Sequence, residues 1–441
     1  MEIPRYRAVT RSNVGKFPFW ERLDPDLREA VELVSMVLPF RTNEYVCNEL
    51  IDWDNVPEDP IFQLTFPQQG MLEDEQFDEL RSLRERGSKE QFARAVDRIR
   101  FALNPHPAGQ MTHNCAVLDG KVLDGIQHKY RETALFFPSH GQTCHAYCTF
   151  CFRWAQFVGI DNLKFASKEI EELCAYLKHH PEISDVLLTG GDPMVMKNSV
   201  LERYIEPLLE IESVRSIRIG TKSVAYWPQR FVTDADADGV LRTFERIVDS
   251  GRQLAIMGHY SHPVELSTEV SREAVRRIRS TGANIRMQSP VLRHINDDAS
   301  AWVDLWTTGV QLGCIPYYMF VERDTGAKRY FEMPLVRCWN IFRNAYQRVS
   351  GLARTVRGPS MSCFPGKCHV IGVTEIGGQR AFCLEYLQAR EPDLVRRPFF
   401  AKYDPKASWF DQLEPLTEGD KPFFPDAERS PAFTPLHVRS N

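Results

Sequence analysis

The chain has 441 residues, 43% of them hydrophobic and 26% charged, with a formal net charge of −5 at pH 7. That size can bury a large core, and either one barrel with additions or two to three domains would suit it. The mild negative charge leaves no footprint for nucleic acid, and no apolar run approaches the length of a membrane span.

The opening residues, Met1-Glu-Ile-Pro-Arg-Tyr, lack the apolar stretch of a secretion signal, which points to a cytoplasmic protein. Eleven cysteines then read as thiols and ligands rather than disulfides. Asp24 is expected to cap a helix through residues 27–34, and Ser88 one running to Arg100 that Asn104-Pro-His-Pro stops. Between them, Pro57-Glu-Asp-Pro-Ile-Phe reads as irregular connection, so residues 1–125 form an N-terminal helical region.

From about Glu132 short apolar runs alternate with amphipathic stretches. Strands are predicted at 133–137, 185–189, 216–219, 253–257, 284–287 and 315–320. Helix caps are predicted at Ser167, at Thr233 with Asp236 three residues on, and at Thr268, whose helix Gly282 closes. Strand–helix alternation makes parallel strands with helices outside them. The fold class expected is α/β, a partial (βα)6 barrel over 126–350 with its chemistry at the strands' C-terminal ends. Residues 351–441 are expected to form a C-terminal region whose tail, from Asp404, drapes over the protein without a core of its own.

Cys144-x3-Cys148-x2-Cys151 lies in the loop after the first of these strands. Thiolates hold iron–sulfur clusters, and a four-iron cubane given three of them keeps one iron open. Three core cysteines, or a zinc site completed by Cys363 and Cys368, are the competing readings. Gly190-Gly191-Asp192-Pro193 follows the second strand; paired glycines allow close backbone approach, and the carboxylate can accept from an ammonium group. The same four residues also make an ordinary turn.

The cysteine spacing resembles that of radical S-adenosylmethionine (radical SAM) enzymes. More specifically, residues 43–392 resemble the lysine 2,3-aminomutase family. The resemblance rests on the cysteine block with Arg153, on 185–192, on Arg218-Ile-Gly-Thr-Lys222 and on Pro228-Gln-Arg230. Further on it rests on His259-Tyr-Ser-His262-Pro263, Gln288-Ser289, Leu292-Arg293-His-Ile-Asn296-Asp297 and Pro316-Tyr-Tyr318. It implies a radical SAM barrel whose Cys144, Cys148 and Cys151 hold a [4Fe-4S] cluster. Gly190, Gly191, Asp192 and Gln288 would then stand at S-adenosylmethionine, with little weight on His259 or His262, and Arg153 would grip a substrate carboxylate. Lys367 stands where the family's lysine joins pyridoxal 5′-phosphate (PLP), although most of the preceding glycine run is replaced. Lys129 matches one member of a basic pair that the family keeps before the first strand, and Thr133 replaces the other. The family's two aspartates that hold the lysine side chain correspond to Arg323 and Arg357, so the substrate expected is not lysine and carries an acidic side chain.

The implied activity is a 2,3-aminomutase: a 5′-deoxyadenosyl radical takes a hydrogen from the β-carbon and the amino group migrates through a PLP aldimine. Its partners would be a small amino acid and a reducing protein such as flavodoxin or ferredoxin, with no nucleic acid or membrane, and a homo-oligomer is compatible. The alternatives are a PLP-independent radical SAM epimerase or other hydrogen-abstracting enzyme on an amino acid or protein lysine, or a non-catalytic metal protein.

Overall fold

A computed structural model describes residues 5–104, 114–159 and 165–425. Fourteen strands occur among these residues. Strand β1 (Ala8–Thr10) pairs antiparallel with β2 (Arg41–Asn43) as a separate ribbon. The others are β3 (Cys115–Leu118), β4 (Lys121–Tyr130), β5 (Thr133–Phe136), β6 (Asp185–Leu188), β7 (Ser216–Thr221) and β8 (Gln253–His259). They continue as β9 (Asn284–Val291), β10 (Ile315–Val321), β11 (Arg357–Ser362), β12 (Gly366–Ile376), β13 (Gln379–Ala389) and β14 (Phe399–Lys402). These twelve make one sheet in which neighbours follow chain order.

Pairing is parallel from β5 through β11 and antiparallel at either end. All six predicted strands are present as β5 to β10, because each carries an apolar run long enough to be buried between helices. Val186, Leu188, Ile217, Ile219, Ile256 and Ile285 are fully buried, each worth roughly 1.5–3 kcal/mol of transfer from water. The flanking antiparallel strands were not expected. Lys129 accordingly lies inside β4 rather than in a segment preceding the sheet.

Several caps follow the sequence. Asp24 accepts from Asp26 N at 2.9 Å to start helix Pro25–Val37, and Ser88 accepts from Gln91 N at 3.2 Å to start Lys89–Ala102. Thr268 accepts from Ser271 N at 3.2 Å ahead of Glu269–Ser280, and Gly282 takes φ +86° behind it. The proline stop of the second helix lies outside the described residues beyond Asn104.

Three local expectations are corrected. Pro60–Thr65 is a helix inside the stretch read as irregular, since Asp59 caps it by accepting from Phe62 N at 2.7 Å and Pro60 needs no donor there. Helix Ala237–Asp249 begins from Asp236, not Thr233, whose hydroxyl is buried without a partner. Glu169 rather than Ser167 precedes helix Ile170–His179, while Ser167 Oγ accepts from Glu169 N at 3.0 Å.

The tail differs most. Trp409, Phe410, Leu413 and Phe423 are buried with Val370, Phe382, Leu384 and Phe399 in a second core outside the main one. The rings of Phe399 and Phe423 stack at 4.7 Å. The described part of this segment is therefore built into the fold rather than draped on it. No helix among the described residues is long and apolar enough to cross a membrane.

Candidate functional site

Parallel pairing brings the C-terminal ends of β5 to β10 to one edge. The cysteine loop leaves β5 there, Gly190–Asp192 leave β6, Lys222 leaves β7, and Arg323 leaves β10. Register does the rest: His259 of β8 pairs with Gln288 of β9, Gln288 with Tyr318 of β10, and Tyr318 with Arg357 of β11. These four side chains form one row. Gln288 Nε2 and His259 Nε2 are 2.8 Å apart, and the Arg357 guanidinium lies 4.6 Å from the Tyr318 ring. Lys367, at the start of β12, lies over that same ring with its Nζ 4.2 Å from the centroid.

Cys148 and Cys151 push the pKa of Cys144 upward, and Cys151 does the same to Cys148. Burial is the largest cause for each, and it brings Cys148 to about 12. Lys222 pulls Cys148 the other way. Among the described residues no three His, Cys, Asp or Glu side chains are placed to ligate a single ion. A cubane asks for a wider spread, because each thiolate takes a different iron, and metal binding then displaces the protons that burial retains. Three thiols on one loop, with a cation beside them, fit that donor set.

Asp192 holds this loop to the sheet. Its N–H donates to Gly141 O at 2.9 Å and Thr143 O at 2.8 Å. Its carboxylate accepts from Met194 N, Thr221 Oγ1, Lys222 N, Ser223 N and Ser223 Oγ, all between 2.7 and 3.0 Å. The carboxylate is thus engaged by protein donors, and burial still raises its pKa. A Cβ on Gly191 would stand 2.5 Å from Thr143 N and 2.6 Å from Thr143 O, so only glycine lets the two loops meet.

Cations dominate the rest of the chamber. The Arg153 guanidinium is 4.2 Å from the Phe137 ring and 4.9 Å from the Phe152 ring, with no hydrogen-bond or ion-pair partner among the described residues. Burial brings its pKa down to about 9. Arg323 stands 5.3 Å from the Phe152 ring and 5.8 Å from that of Trp409, so the tail reaches the site. Its Nε and Nη2 are buried without hydrogen-bond partners, and Asp324 Oδ1 is 3.9 Å from Nε. Lys129 is buried in β4 and donates to Cys363 O. Lys367 is brought down to about pKa 7 by burial first, then by Arg218 and Arg357, against an upward pull from Asp185.

Sequence reading therefore named most of the side chains that converge here. It missed Arg390, whose Nε donates to Phe364 O at 2.8 Å on the loop before Lys367, and Trp409. Neither carries a motif: Arg390 follows a strand-like run, and Trp409 follows Asp404-Pro-Lys-Ala-Ser408. The basic lining suits a phosphate and carboxylates, and the Lys367 amine suits an aldehyde, so PLP fits the residues present.

No family model matches the chain. It is 33% identical over 399 residues to a protein of Aquifex aeolicus (strain VF5) named "Putative L-lysine 2,3-aminomutase", covering 90% of this chain and 94% of that one. It is 27% identical over 271 residues to the L-lysine 2,3-aminomutase of Bacillus subtilis (strain 168), covering 62% and 52%. Against the glutamate 2,3-aminomutase of Clostridioides difficile (strain 630) it is 26% identical over 252 residues, covering 57% and 54%. The chain thus spans about half the length of the last two. Near-complete coverage at one-third identity makes the chain a divergent member of the lysine 2,3-aminomutase family of radical SAM isomerases, whose members use a [4Fe-4S] cluster, S-adenosylmethionine and PLP.

Proposed function

We propose that this enzyme is an amino-acid 2,3-aminomutase acting on an acidic amino acid, with the six parallel strands β5 to β10 as a partial (βα)6 barrel around the reaction. The observation that carries it is the excess of interior positive charge around a lysine amine. Arg218 and Arg357 act on Lys367, Lys367 and Arg323 act on Lys129, and Arg323 acts on Arg153, while Asp185 is taken by Arg218 and Asp324 stands only loosely by Arg323. Buried cations need anions, and a lysine side chain would add one more cation.

When bound, the cluster with S-adenosylmethionine supplies a hydrogen-abstracting radical, and PLP supplies the π system through which nitrogen migrates. Cys144, Cys148 and Cys151 would hold three irons. Arg153, already seated on Phe137 and Phe152, would grip the α-carboxylate bidentately. Arg323 and Arg357 would take the side-chain carboxylate, which supports glutamate or aspartate as substrate. Lys367, held near neutrality, would present a free amine pair at Nζ to the cofactor aldehyde. Trp409 and Tyr318, both buried, would exclude water from the radical.

The test is anaerobic reconstitution with iron and sulfide, followed by reduction and incubation with S-adenosylmethionine, PLP and one amino acid at a time. A β-amino product from glutamate or aspartate is expected. Turnover of lysine alone overturns the acidic substrate, and failure to form 5′-deoxyadenosine with any of the three overturns the activity.

A further inference from the structure

Thr133 cannot supply a positive charge, and its hydroxyl donates to Asp185 Oδ2 at 3.1 Å. Lys129 nevertheless does not stand alone. Arg390, just past the end of β13, reaches the same loop from the strand that pairs with β12. Its Nε donates to Phe364 O at 2.8 Å, its Nη2 donates to Asn114 Oδ1, and its guanidinium lies 4.8 Å from the Phe364 ring. Lys129 donates to the adjacent Cys363 carbonyl. Both residues are at least nine-tenths buried, at 9% and 8% exposure. The loop they hold, residues 363–366, runs directly into Lys367.

Among the described residues the largest charge effects on Lys129 come from the Cys363 thiol, which raises its pKa, and from Arg390, Arg323 and Lys367, which lower it. An interior ammonium facing three other cations either gives up its proton or waits for an anion of more than single charge. The two substrate carboxylates already have Arg153, Arg323 and Arg357. A phosphate monoester carries close to two negative charges and several acceptor oxygens, which suits one point-like ammonium beside one planar guanidinium.

We propose that Lys129 and Arg390 together form the seat of the cofactor phosphate, Arg390 from the C-terminal hairpin taking the place of the cation absent at Thr133. The assignment rests on the reading that PLP joins Lys367. Antiparallel pairing of β12 with β13, Gly366 opposite Ala389 and Lys367 opposite Gln388, returns the arginine to the loop that carries the lysine.

The measurement compares affinity for PLP with affinity for pyridoxal, which lacks the phosphate, by absorbance titration of the purified chain. Arg390→Gln is expected to weaken PLP by at least about tenfold, as for a lost charged hydrogen bond. It should leave pyridoxal unchanged, and Arg390→Lys should recover part of the loss. Lys129→Gln should behave as Arg390→Gln does. Equal affinity of wild type and Arg390→Gln for PLP, or an equal fall for both aldehydes, overturns the seat alone. Wild-type protein giving no borohydride-fixed adduct on Lys367 overturns the parent reading instead. Should Arg390→Gln not fold, inorganic phosphate added to the unaltered protein decides. Competition with PLP but not with pyridoxal supports the seat, and any other pattern overturns it.

Discussion

Lys222 Nζ lies 2.6 Å from Glu265 Oε1 with the two side chains 10% and 0% exposed, an interior ion pair beside Cys148. Ser261 Oγ at 3.2 Å and His259 O at 3.3 Å take the remaining ammonium protons, and Ser261 N and His262 N donate to Glu265 Oε2. Removing one partner strands the other charge. Glu265→Gln is therefore expected to cost about 3–5 kcal/mol in denaturant unfolding, whereas Lys222→Met with Glu265→Leu together should cost much less. Additive losses in the double variant would show that the pair is not coupled.

The Lys367 amine is set near pKa 7 by burial, Arg218 and Arg357, against about 10.4 for a free lysine. Labelling of Lys367 by PLP and borohydride should thus rise to half its maximum near pH 7. Arg357→Gln removes one of the repelling charges and should move that midpoint upward. The unfolded chain holds this proton up to about pH 10.4 and the folded chain releases it near 7, so the lysine's contribution to stability grows more favourable as pH rises across that window. A midpoint unmoved in Arg357→Gln would remove the electrostatic link.

Gly191 is the contact at which the β6 loop meets the cysteine loop. Gly191→Ala would press a Cβ against Thr143 N, Thr143 O and the Gln142 carbonyl carbon within 2.8 Å, all of them backbone. The segment carrying Cys144 must then shift. Iron and sulfide per chain after reconstitution should fall several-fold in Gly191→Ala and stay at the wild-type level in Gly351→Ala, where nothing stands within 4 Å.

Glu322 directly follows β10, with both carboxylate oxygens buried and without a hydrogen-bond partner among the described residues. Burial, then Glu332 and Asp324, raises its pKa well above the carboxylate range while Lys328 opposes them. The folded chain keeps this proton where the unfolded chain loses it, so the group's stability contribution is present below about pH 4.3 and declines as pH rises. Glu322→Gln should abolish that decline and stabilise the protein at pH 8 by about 1–3 kcal/mol. Equal slopes of stability against pH for the two proteins would exclude it.

Local grammar explains what was legible beforehand. The six parallel strands, the caps at Asp24, Ser88 and Thr268 and the turn at Gly282 depend on neighbours within one turn or one strand length, so their residues announce them. Thr233 was misread for a related reason: Asp236, three residues on, is held by Arg230 and by Asn198 N, and that contact sets the helix start. The tail composition suggested a surface cover, yet Trp409 and Phe423 found apolar partners on β13 and β14 that no local pattern discloses.

What the chain alone determined is the chemistry it carries: three thiols at cubane spacing, a lysine after a turn, and six strands destined for one parallel sheet. Tertiary structure decided how charge is distributed around that lysine. It turned Asp192 inward to brace the cysteine loop, and it brought Lys129 and Arg390 to neighbouring carbonyls of one loop. Hydrophobic periodicity is a short-range property of the backbone. Meetings between distant charges depend instead on which strands pair and in what register, which only the assembled sheet settles.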